Sequence, residues 1–130
     1  MIRYTPMLAA GLLASVTCGP AAADAAFDKL SKDVDTYTEN FQTLLTDGGH
    51  AYYVAHNAQE AGKNSDACAA AKVAVAKYTE AKISTLAMAN ELTAAGDEVD
   101  AKAVMDGLPD VIDLLNPAID IVTKTCKDPS

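Results

Sequence analysis

The chain contains no tryptophan, only two phenylalanines and a single arginine, Arg3. Its two histidines, His50 and His56, fall short of the ligand set of a dedicated copper carrier. No apolar run reaches the roughly 20 residues that a membrane-spanning helix needs; Met7 to Val16 is too short. Arg3 ahead of that run and the small residues Ala21-Ala22-Ala23 behind it have the layout of a signal peptide, with cleavage expected before Asp24. Ser15-Val16-Thr17-Cys18 is a poor lipidation motif, because the third residue before the cysteine is a serine.

Residues 1–23 are therefore expected to leave, residues 24–126 to fold as one helical domain, and 127–130 to form a loose tail. From Asp24 onward nine lysines face 18 acidic residues, a net charge of −9 with no arginine. That balance argues against binding to nucleic acid or to an anionic membrane surface. Of the three cysteines, Cys18 goes with the leader. Cys68 and Cys126 remain as an even pair in a chain expected to be secreted or periplasmic, where disulfides persist.

Hydrophobic periodicity is helical and sharpest in the first and last arms, while His50 to Ala61 is ambiguous and the alanines of the third segment blur its register. Phe27, Leu30, Val34, Tyr37, Phe41 and Leu44 recur at steps of three and four, and Asp47-Gly48-Gly49 reads as the end of that helix. His50 to Ala61 then reads as a short second helix, and Gly62-Lys63-Asn64-Ser65 as a turn ending in a cap. A third helix is predicted from Asp66 to about Ala95, rich in alanines that favour helix and permit close approach of neighbours. Ala101, Met105, Leu108, Ile112, Leu115, Ile119, Val122 and Cys126 keep one phase through Pro109 and Pro117, which predicts one bent fourth helix.

Ala95-Gly96-Asp97 joins the last two arms, a helix-ending glycine followed by a capping aspartate. Cys68 and Cys126 are equidistant from this turn, so a fold-back there brings them together as a disulfide. The expected architecture is an all-α, up-down-up-down four-helix bundle, thinly covered where the second helix is short.

Several groups of residues are candidates for function. An apolar ligand would be lined by Tyr37, Phe41, Tyr78, Leu86, Met105, Leu108 and Ile112. Asp106, Asp110, Asp113 and Asp120 form an acidic row on the last helix that would steer a basic protein partner, as in an immunity protein, chaperone or envelope adaptor. The row does not converge as a calcium loop does and is expected to be a solvated face. His56 and Met105 are the alternative metal pair, for haem iron or Cu(I), if the glycine turns before each lie at one end of the bundle. No cofactor is otherwise expected. The serines Ser31, Ser65, Ser84 and Ser130 lie in no nucleophile elbow, and the carboxylates form no recognisable catalytic pair, so an enzyme is not expected.

Leu30-Ser31-Lys32-Asp33-Val34-Asp35-Thr36, Asp100-Ala101-Lys102-Ala103-Val104 and Leu108-Pro109-Asp110-Val111-Ile112-Asp113-Leu114-Leu115 resemble the first and last helices of the fungal hydrophobic-surface-binding and cell-wall mannoprotein family. The Cys68 and Cys126 pair is not part of that pattern. The resemblance implies a secreted, non-enzymatic helical protein that adsorbs to apolar surfaces or holds a fatty-acid-like ligand between its helices.

Overall fold

Gly48 and Gly49 lie in the middle of a helix. In the computed structural model, which describes residues 19–127, helix α1 runs unbroken over Gly19–Glu60. It is followed by α2 (Asn64–Ala94), α3 (Glu98–Met105) and α4 (Leu108–Thr125). The expected first and second helices are thus one rod of about 63 Å at 1.5 Å per residue. The all-helical bundle and the disulfide stand, but the rods number three, running up, down and up.

Tyr78 is the reason the glycines do not end the helix. Its ring, 2 % exposed, lies directly against the α1 backbone. A Cβ at Gly48 would sit 2.7 Å from Tyr78 Cε1. A glycine stops a helix when the chain takes a left-handed φ there, and among the described residues only Gly62 (φ 76°) and Gly96 (φ 83°) do so. The contact with Tyr78 and the continuing apolar face through Ala51 and Ala55 outweigh the roughly 1 kcal/mol that each glycine costs a helix.

The two real turns are built alike. After α1, the Lys63 N–H donates to the Ala58 carbonyl at 2.8 Å and the Gly62 N–H to Gln59 at 3.0 Å. After α2, the Asp97 N–H donates to Leu92 at 2.9 Å and the Gly96 N–H to Thr93 at 3.0 Å. Both are Schellman closures with glycine at the left-handed position. Lys63, not Ser65, occupies the position ahead of α2 and makes no side-chain cap. Asp97 does cap α3, accepting from the Asp100 N–H at 3.2 Å.

The last arm is two helices rather than one bent one. The chain leaves regular helix at Asp106-Gly107 and resumes it at Leu108. Pro109 explains the position: its ring would clash with the Met105 carbonyl if the helix were continuous, whereas in the first turn of α4 its missing N–H is harmless. Pro117 lies inside α4 and is exposed, and the helix passes through it.

Helix α2 is the central rod, packed against all the others. Its inner face is a row of fully buried alanines, Ala67, Ala71, Ala74 and Ala81, which lets α1 and α4 approach closely. Leu92 shares a cluster with Ala101, Tyr78 with Leu115, and Ala71 with Ile121. Each pair is nearly equidistant from Gly96, so the hairpin register survives the break at Gly107. It ends at the Cys68–Cys126 bridge, with α-carbons 5.0 Å apart.

Between α1 and α2, Thr85 donates to the Ala81 carbonyl at 2.9 Å, and the Tyr37 hydroxyl lies 3.0 Å from Thr85 Oγ1. Because the single Thr85 hydroxyl proton is committed to Ala81, Tyr37 is the donor across the helix pair. The leader expected over residues 1–23 lies, as far as residue 18, outside the described residues, as do residues 128–130 of the expected tail.

Candidate functional site

Along α2, Leu86, Ala89, Asn90 and Thr93 recur at helical spacing and face α3. The Schellman turn at Gly96 brings α3 back antiparallel, and Glu98, Ala101, Lys102 and Met105 form the opposite wall. Between them is an open groove of about 420 Å³. Leu86, Ala89, Ala101 and Met105 make its surface mainly apolar. Ala89 and Ala101 are buried, while Leu86 is 37 % exposed.

Charge on α3 is concentrated beside this groove. Lys102 Nζ lies 3.3 Å and 3.4 Å from the two carboxylate oxygens of Asp106, one helical turn on. Glu98, one turn before Lys102, has no ion-pair partner among the described residues.

A second, smaller cleft of about 220 Å³ lies between α1 and α2, where Asp33, Tyr37 and Asn40 face Ser84, Met88 and Glu91. Asp33 and Glu91 share a hydrogen bond across the helix pair. Hydrogen bonding with Asp33 raises the Glu91 pKa, and burial and repulsion by Asp33 add to the effect. The same bond lowers Asp33, helped by Lys29 at 2.7 Å. Lys29 is raised by Asp33 first and then by Glu91, 3.8 Å away. This cleft mixes polar and apolar walls and is rimmed by Asp33, Glu91 and Lys29, so it suits an apolar ligand less well than the α2/α3 groove.

The seven expected lining residues do not converge. Leu86 and Met105 meet in the α2/α3 groove. Tyr37 lines the smaller cleft, with Phe41 packed on it at a centroid distance of 5.4 Å. Tyr78 is core, held against Gly48, and burial followed by repulsion from Tyr52 raises its pKa. Leu108 and Ile112 are half-buried and line neither the groove nor the cleft.

The acidic row is exposed as expected, but two members are paired with lysines four residues away, Asp106 with Lys102 and Asp120 with Lys124 at 3.0 Å. That leaves Asp110 and Asp113 to carry the row's charge. His56 and Met105 are not brought to one level, because the turn expected at Gly48-Gly49 does not exist. His56 stacks on Tyr52 at 6.1 Å, pairs with Glu60 at 3.2 Å, and adjoins Ala55 of the Ala71 cluster near the disulfide. Met105 lies with Ala89 towards the opposite end. About 18 residues of α2 separate those levels, roughly 27 Å. Among the described residues no three of His, Cys, Asp and Glu converge on a metal position, and no helix is long and apolar enough to cross a membrane.

Ala89, Asn90, Thr93, Glu98 and Lys102 line the groove although none belongs to an apolar stripe read from the sequence, so hydrophobic periodicity does not pick them out. The pairing rule that joins Cys68 to Cys126 also joins Ala89 to Met105, and applied along that flank it finds the groove. No family model matches this chain, and no curated protein or solved structure matches it either.

Proposed function

We propose that this chain is an exported, non-enzymatic binding protein that holds an apolar chain, or adsorbs to an apolar surface, through the groove between α2 and α3. The observation that carries the reading is the groove's lining: four apolar side chains bounding about 420 Å³, within the roughly 300–1,000 Å³ typical of small-molecule sites. The leader-like N-terminus and the Cys68–Cys126 bridge support export. The resemblance to the fungal hydrophobic-surface-binding family points the same way.

The test is titration of the oxidised protein with Nile red, a neutral apolar dye that brightens on leaving water. Saturable binding at micromolar dye is expected. Leu86→Gln, at a partly exposed position that the fold depends on little, should weaken it severalfold, since part of the roughly 1.5–3 kcal/mol from covering a large apolar side chain is lost. Absence of saturable binding, or indifference to Leu86→Gln, removes the reading.

A further inference from the structure

We infer that the groove selects amphiphiles with a positively charged head group, an alkylammonium rather than a fatty-acid carboxylate. The inference rests on the groove reading and adds the chemistry of the polar end. The α3 wall carries two charges, Glu98 and Lys102, one turn apart. Lys102 is the residue a carboxylate would need, and it is already engaged by both oxygens of Asp106. An incoming anion must compete with Asp106 while meeting Glu98.

A cation meets the reverse. Glu98 is exposed and has no ammonium partner among the described residues, so it accepts one without breaking an existing pair. The background field has the same sign, since 18 acidic residues outnumber the basic ones across the chain. Leu86, Ala89 and Met105 take the alkyl tail and Glu98 takes the head, so one ligand satisfies both halves of the groove.

The test is displacement of Nile red from the oxidised protein at low ionic strength by dodecyltrimethylammonium and by dodecanoate, both below micelle-forming concentrations. Dodecyltrimethylammonium should displace the dye at a concentration about fivefold lower, the upper range for an exposed ion pair. Glu98→Gln should abolish that preference, and about 0.5 M salt should shrink it. Equal displacement by the two, stronger displacement by dodecanoate, or a preference untouched by Glu98→Gln overturns the head-group assignment while leaving the groove reading in place. Failure of both amphiphiles to displace bound dye overturns the two together.

Discussion

Alanine placed at Gly48 and at Gly49 should have opposite effects, although the two positions are adjacent and the chemical change is identical. Each substitution gains about 1 kcal/mol of helix propensity over glycine. At Gly49 the nearest atom to the new Cβ is the Tyr78 hydroxyl oxygen at 3.7 Å, an ordinary contact. The gain should therefore be kept, raising the melting temperature by about 4–8 °C for a domain of this size.

At Gly48 the new Cβ meets Tyr78 Cε1 at 2.7 Å, Cδ1 at 2.9 Å and Cζ at 3.1 Å. Carbon atoms pack at about 3.5–4.0 Å, so the ring must retreat by nearly 1 Å. It is 2 % exposed and enclosed by Ala74, Leu115 and Ala118, so the retreat disturbs the core. Overpacking of this kind costs about 1–3 kcal/mol, which cancels or exceeds the propensity gain. Urea and thermal unfolding of the two variants measure the difference. Replacing Tyr78 by leucine should then make Gly48→Ala stabilising. If Gly48→Ala raises stability as much as Gly49→Ala, the ring is not seated on the backbone. If Gly49→Ala is the destabilising one, the glycines form a turn and α1 is not continuous.

The cross-links between helices give two more expected outcomes. The Cys68–Cys126 bridge spans 58 residues, and in the chain-entropy model its removal should cost about 4 kcal/mol; a urea midpoint unchanged by reductant, with thiol release confirmed, contradicts the closed hairpin. Carboxyl NMR titration should place Glu91 above its ordinary value of 4.5 and Asp33 below 3.8, and Asp33→Ala should bring Glu91 back down. The two act on stability with opposite sign. The Glu91 contribution is present below its unfolded value and lost as pH rises through its raised folded value. The Asp33 contribution is present above its unfolded value and lost as pH falls through its lowered one. Identical titration of the two carboxyls would contradict their coupling across the helix pair.

Features that are local or symmetric were legible in the order of residues. The three-and-four spacing of Leu30, Val34 and Tyr37 is enough to require helix, and Gly62 and Gly96 close helices because each is followed by a chain that must reverse. The disulfide followed from distance to the Gly96-Asp97 turn alone, since an antiparallel hairpin pairs equidistant residues whatever their identity.

The remainder depended on how the helices pack. A Gly-Gly pair weakens a helix by an amount that a single well-placed ring can reverse, and Tyr78 arrives from the next helix, beyond the reach of any local pattern. The continuity of α1 then set everything measured along it: three rods instead of four, His56 far from Met105, and Tyr37 and Leu86 on different sides of α2. The groove depends on small residues such as Ala89 and Ala101. An alanine reads the same in sequence whether a neighbour covers it or leaves a space beside it, and only the packed helices distinguish the two.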